Sequence, residues 1–459
     1  MSRVDFTGEP FASRAISPEV AEDRGYTPYE KPADVREADP RMGSTQELQN
    51  WTRHYGSRGA PGWVMKKHAL PGSAFDAPLP QLRPDKAVPG RKEWHDHAWA
   101  FYNRPVARKI HERAAHESQH TTGRHFHVPE SKYLIAPGPH GKRWDTHPSC
   151  TADRFMSAER VFLHMEGTLK LDALVSAGEV GADVPSVTLW DRRGALSWAD
   201  WPGGKPEVPD GVGFWDYYEE WEKAMEDATQ AQADELGAFL RGYVRAPVII
   251  VCDRDHEHPV LNPAVALEAF CLRDVVRDAG LPCVVAAPPR GGDSRVKGSD
   301  DFQYAGGKPD EMVVVEPLPH KAPGRATFER LYRRGARGPS GRRRPAEVVD
   351  RDLELLDWYA AHSAAEGFVA RPASRIAKRL GVKGRDTVKR ATVRLAQAGA
   401  LVIDGHYDNP DERPRRTTEE WRALGRGRRQ AIPTMIRLRE DLRPELWEPA
   451  VGSWLRAQG

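Results

Sequence analysis

Four short apolar runs in the middle of the chain restrict its fold more than any other feature. They lie in "ERVFLHMEG" (159–167), "SVTLW" (186–190), "PVIIVCD" (247–253) and "LPCVVAAPP" (281–289). Each is too short for a buried helix, and "PVIIVCD" is β-branched as a parallel strand covered on both faces should be. Between them lie stretches of helical period, "TLKLDALVSAG" (168–178) and "NPAVALEAFCLRDVVRDAG" (262–280). The second opens on Asn262 as N-cap with Pro263 at the first helical position and closes on Gly280. "EMVVVEP" (311–317) predicts a last strand. Buried strands alternating with helices predict an α/β fold with a largely parallel sheet.

In open sheets of this kind ligands bind beyond the carboxyl ends of the strands. Three acidic groups fall at or just after such ends: Glu166, the pair Asp253 and Asp255 in "VCDRD", and Asp300 with Asp301 in "KGSDD". One alone reads as a turn, whereas three in one domain read as a site. Asp253 and Asp255 lie two apart, so in a strand they share a face and can hold one or two magnesium or manganese ions. Glu166 adds a ligand or serves as acid or base at a leaving oxygen. Lys297 neutralises charge on a phosphate. The set predicts metal-dependent phosphoryl or nucleotidyl transfer on nucleic acid.

A chain of 459 residues exceeds one ordinary core. The texture divides it into a loop-rich module at 1–155, partly disordered at its start, and an α/β domain at 156–320. The latter carries a Trp-rich insertion at about 191–245. A basic linker at 321–345 and a helical unit at 346–459 follow. The net charge is only +2, but residues 321–350 hold nine Lys/Arg against three acids and 371–430 hold sixteen against seven, so the C-terminal third faces a polyanion. Within it, "RPASRIAKRLGV", a tight turn and "DTVKRATVRLAQAG" followed by a strand predict a winged helix-turn-helix. Val388, Ala391, Leu395 and Ala398 face inward. Lys383, Arg385, Lys389, Arg390 and Arg394 face outward as candidate duplex-DNA contacts.

Other signals are weaker. "APGPHGKR" (136–143) has P-loop spacing, but prolines remove the amides that would cradle phosphate. With no P-loop elsewhere, a helicase activity within this chain is excluded. His125 and His127 could flank a metal beside Tyr133, as in rolling-circle nucleases, or form a surface turn. The His-rich stretch lacks the cysteines of a zinc finger; only Cys150 is near. The aromatic cluster at 198–221 either stacks bases or packs as a helix core. The four cysteines (150, 252, 271, 283) form no C-x-x-C pair and read as buried thiols of a reducing compartment. No run of 18 apolar residues and no signal-peptide core occur, which predicts a cytoplasmic protein without a membrane partner.

"VFLHMEGTLKLDALVSAG", "PVIIVCDRD" and "KGSDDFQYAGG" resemble the Toprim-like (primase-type) domain of replication proteins carried by phages, plasmids and integrative elements. "AISPEVAEDRGY" (15–26), "PQLRPD" (80–85) and "SKYLIAPGPHGKRWDTHPS" (131–149) resemble the module preceding that domain. The resemblance spans roughly residues 10–320. It implies a Toprim glutamate at Glu166, its paired acids at Asp253 and Asp255, and its loop at Lys297, Asp300 and Asp301. It implies a primase-like or initiator protein of a mobile element, needing Mg2+ or Mn2+. It admits nucleoside triphosphates and single-stranded DNA at the site, and a separate helicase as partner. A metal-dependent nuclease and a non-catalytic origin-binding initiator use the same features. The chain departs from the family pattern in its long insertion before Asp253 and in His164-Met165 preceding Glu166.

Overall fold

The computed structural model describes residues 6–8, 10–30, 32–41, 61–74, 76–85, 91–95, 124–128, 134–135, 143–184, 234–254, 261–290, 296–337, 342–363, 368–370, 376–377, 380–382, 384–406 and 434–458. The strand expected at 186–190, the aromatic cluster at 198–221, Tyr133, Asp255 and Lys383 lie outside them. So do the side chains of His125, His127 and Arg385.

The early chain is more ordered than its composition predicts. Helix α1 (Pro18–Arg24) starts because Ser17 accepts from the Val20 amide and Pro18 takes the first turn; it stops at Gly25 with φ +77°. Helix α2 (Pro32–Ala38) follows. Strands β1 (Thr27–Tyr29), β2 (Gly62–Met65), β3 (Gln81–Pro84) and β6 (Leu134–Ile135) make one antiparallel sheet. The period of "KEWHDHAWAFYNRPVARKIHERAAHES" predicts a helix from about 92 to 116, but residues 91–95 form β4 (Arg91–His95). It pairs in register with β5 (Arg124–Val128), which holds His125 and His127. The "EWH" alternation suits a strand, and cross-strand pairing prevails over local helical period.

The central sheet has six strands in the order β12-β11-β10-β8-β9-β7. These are β7 (Asp145–Thr146), β8 (Val161–His164), β9 (Gly181–Asp183), β10 (Val248–Val251), β11 (Cys283–Ala287) and β12 (Val313–Val314). The inner four, β9-β8-β10-β11, are parallel; both edges are antiparallel. Helix α3 (Ala152–Ser157) precedes β8, and α4 (Thr168–Ser176) crosses from β8 to β9. Helix α5 (Pro263–Asp278) crosses from β10 to β11. Every residue of β8, β10 and β11 is buried. Their side chains alternate between two apolar clusters, so both faces are covered. Each buried Val, Ile or Leu contributes about 1.5–3 kcal/mol by transfer, well above the 0–1 kcal/mol of an exposed ion pair. The four cysteines are buried free thiols, as expected.

Helix α4 is less amphipathic than its sequence implies. It is wedged between the sheet and residues 6–26, whose Phe6, Phe11, Ile16 and Tyr26 pack on Leu169 and Ala173. The N-terminal segment is thus part of the α/β core.

Beyond the short helix α6 (Ser299–Tyr304) and strand β13 (Glu316–Leu318), the region expected to be a basic linker is a helix, α7 (Arg325–Gly335). Phe328 and Tyr332, four apart, are buried in the main apolar cluster. Its arginines meet acids of helix α8 (Ala346–Ala361): Arg325 grips Asp357 at 2.6 and 2.8 Å, and Arg333 reaches Asp350 at 2.5 Å. Charge density on the sequence hides this period. Helix α9 (Arg385–Gln397) packs on α8 and leads into β15 (Leu401–His406). With β14 (Phe368–Ala370) and β16 (Thr434–Leu438) it makes a three-stranded antiparallel sheet ordered β14-β16-β15. Val388, Ala391 and Leu395 are buried as expected; Ala398 is exposed.

The chain then returns. Strand β17 (Glu445–Trp447) pairs with β13, and α10 (Val451–Arg456) lays Val451 and Trp454 on the central sheet. The last residues therefore belong to the α/β core and not to a separate C-terminal unit. No helix among the described residues is long and apolar enough to cross a membrane.

Candidate functional site

Register places the site. His164 is level with Val251, which is level with Ala286. From β8 the chain crosses to β9 on one side, whereas β10 leads to β11 on the other. The crevice where strand order diverges therefore lies between β8 and β10, the position where open sheets bind ligands. Glu166 follows β8 by two residues and Asp253 follows β10 by two. The Asp253 amide donates to Glu166 Oε2 at 3.1 Å. Asp253 stands in the loop past the strand, so the expected sharing of a strand face with Asp255 does not apply to it.

The turn after Glu166 needs Gly167, whose φ of +108° strains any side chain. This turn points α4 back along the sheet and brings Lys170 over the crevice. Its ammonium pairs with Asp253 Oδ2 and lies 3.6 Å from Glu166 Oε2. Burial opposes charge on Lys170, but the Asp253, Glu166 and Asp300 carboxylates outweigh it and raise its pKa. Burial and the neighbouring Asp253 push Glu166 up to about 7. His164, fully buried, accepts the Glu166 amide at Nδ1 (3.2 Å), which leaves Nε2 as the donor to Ser299 Oγ (3.0 Å). Burial and the Lys170 charge pull it down to about 3, so it stays neutral.

The "KGSDD" loop completes the arrangement. Asp300 is fully buried, and Arg14 of the N-terminal segment donates to its Oδ2 at 2.5 Å. A methyl on Gly298 would sit 2.4 Å from Asp300 Oδ1 and 3.1 Å from Asp253 Oδ1, so only glycine fits between the two carboxylates. Both of those oxygens are buried without a hydrogen-bond partner among the described residues. Asp301 holds the loop itself in shape, because its carboxylate accepts from the Lys297 and Gly298 amides at the start of α6. Lys297 is exposed. The cation between the acids is Lys170, which local sequence reasoning missed.

Two orphaned carboxylate oxygens converging on one glycine fit a hard divalent ion, which takes one or two carboxylates and keeps its waters. Asp253 and Asp300 would hold it and Glu166 would adjoin it. Among the described residues no group of three or more His, Cys, Asp and Glu is placed to ligate a metal.

In the C-terminal helices, Lys389 and Arg390 are exposed on α9. Arg394, expected beside them, is turned inward and donates to both oxygens of fully buried Asp352 at 2.7 and 2.5 Å; Tyr332 donates to the same carboxylate at 2.6 Å. Removing Arg394 strands a buried charge. Arg394→Ala is expected to lower stability by about 2 kcal/mol in urea denaturation, after discounting for partial exposure. Lys389→Ala/Arg390→Ala is expected to leave it within about 0.5 kcal/mol. Equal effects would place Arg394 at the surface with the others.

Searches against protein-family models, curated proteins and solved structures find no match to this chain.

Proposed function

We propose that the chain is a DNA-acting replication protein of the Toprim-like type, with metal-dependent phosphoryl or nucleotidyl transfer at the β8/β10 crevice. The observation that carries this reading is the pair of buried, partnerless oxygens of Asp253 and Asp300 beside Glu166 at a switch point of a parallel sheet. Magnesium or manganese held by Asp253 and Asp300 would supply electrophilic stabilisation of a phosphate. Glu166, raised towards neutrality, is suited to move a proton at an attacking or leaving oxygen. Lys170 is positioned to balance charge on the phosphate. Helices α8 and α9 with their small sheet suit a winged helix, with Lys389 and Arg390 as the duplex contacts.

One observation favours a second reading. Lys170 and Arg14 already neutralise Asp253 and Asp300, as a non-catalytic scaffold of an origin-binding initiator would need. The test is activity on labelled single-stranded DNA with all nucleoside triphosphates and Mg2+ or Mn2+, wild type against Asp253→Asn/Asp255→Asn. The double variant is expected to lose about a hundredfold or more of product formation. Lengthened products identify a primase-like enzyme and shortened ones a nuclease. Equal absence of product in both proteins, with duplex binding intact, establishes the scaffold.

A further inference from the structure

Four arginines are buried among the described residues: Arg24, Arg143, Arg254 and Arg273. Three have carboxylate partners. Arg24 holds Asp172 and Asp145, Arg143 holds Glu235, and Arg273 holds Glu316 and Asp274. Arg254 differs. The residue is only 3% exposed, yet among the described residues Nε, Nη1 and Nη2 all lack a hydrogen-bond partner. An arginine cannot escape this by losing its proton. A buried guanidinium without an acceptor is costly, so a fold that keeps one keeps it for something that binds there.

Its place says what that is. Arg254 adjoins Asp253 and is fixed by its backbone, whose amide donates to the Lys297 carbonyl at 2.9 Å. Arg290 follows β11 by three residues, as Arg254 follows β10, and these strands are parallel neighbours in register. Arg290 is half-exposed and 3.3 Å from Glu448 of the returning C-terminal segment. Two cations thus leave neighbouring parallel strands at the same level of one sheet edge.

We propose that Arg254 and Arg290 form an anion site that takes a phosphate group at the carboxyl edge of the sheet, beside the acidic crevice. The planar guanidinium of Arg254 offers a fork of donors to phosphate oxygens, and Arg290 adds charge at the mouth. A phosphate there belongs either to a nucleic-acid backbone or to a nucleotide tail. The identity of that molecule rests on the function proposed above; the anion site itself rests on the two arginines.

The test uses the full chain without divalent metal, with sodium pyrophosphate and a labelled single-stranded 12-mer as probes. Arg254→Met keeps the apolar stem and removes only the partnerless head. Its Tm in phosphate-free buffer is expected to equal or exceed that of wild type, while affinity for at least one probe falls tenfold or more. Arg290→Ala, an exposed change, is expected to weaken the same probe several-fold. Loss of pyrophosphate binding marks a nucleotide-tail site; loss confined to the 12-mer marks a backbone site. The proposal is overturned if wild type binds neither probe, or if Arg254→Met binds both as wild type does. It is equally overturned if Arg254→Met fails to fold and Arg290→Ala binds unchanged. Because no metal is present, the acidic crevice can prove inactive while this site stands, and the reverse.

Discussion

Replacing Arg24 with methionine is expected to cost about 3–5 kcal/mol of stability, the amount typical of removing one partner from a buried ion pair. Arg24 ends α1 and is wholly enclosed. Its Nε and Nη2 bind Asp172 of α4 at 3.0 and 2.5 Å. Its Nη1 binds Asp145 of β7 and the Thr146 carbonyl, each at 2.8 Å. Tyr26 adds a 2.7 Å bond to Asp172, and the His68 amide donates to Asp145 at 2.5 Å. One guanidinium therefore joins the N-terminal segment, the edge strand and the helix that carries Lys170. Without it two carboxylates stay buried with no counter-charge of that geometry. Asp183, packed against Asp145, supplies no counter-charge; burial and Asp145 push its own pKa well up. Arg24→Lys should recover only part of the loss, since an ammonium cannot bridge both carboxylates as a fork does. Urea denaturation with the linear extrapolation reads the difference. A loss below about 1 kcal/mol in Arg24→Met would mean that water reaches both carboxylates.

The same contrast explains what the sequence disclosed. Strands β8, β10 and β11 were legible because a strand buried on both faces must be apolar throughout, and α5 because Asn262, Pro263 and Gly280 act locally. Glu166 and Asp253 were legible because a topology rule ties sites to strand ends. Lys170 and Arg14 were not, since an ion pair across the fold leaves no periodic trace. Neither was the return of residues 445–456 to the sheet, which depends on strand pairing with β13 rather than on composition. Helix α7 was misread because arginine density outweighed the spacing of Phe328 and Tyr332. The Arg394 side chain was misplaced because helical phase alone does not register a buried acid on the neighbouring helix. Order before residue 41 was hidden when a few aromatic anchors were averaged with many Pro, Gly and charged neighbours.

The Glu166 carboxyl should make the site a measurable liability. Below pH 4.5 the group is protonated in both folded and unfolded chains and contributes nothing. Between 4.5 and about 7 the folded chain holds a proton that the unfolded chain has released, so stability falls as pH rises. Above about 7 the whole cost is present, about 3 kcal/mol at about 1.4 kcal/mol per pKa unit. Glu166→Gln mimics the neutral acid. It is expected to match wild type near pH 4 and to be more stable by about 3 kcal/mol at pH 8, while Lys170 keeps its pairing with Asp253. Urea midpoints across pH 4–8.5 supply the measurement, and parallel curves for the two proteins would show the carboxyl to be solvated in the folded state. A carboxyl that weakens the fold near neutral pH fits the proton-transfer role proposed above for Glu166. If Glu166 served only to close the turn before α4, glutamine would do as well at every pH, and the crevice would have no reason to hold a carboxyl near neutrality beside two partnerless oxygens.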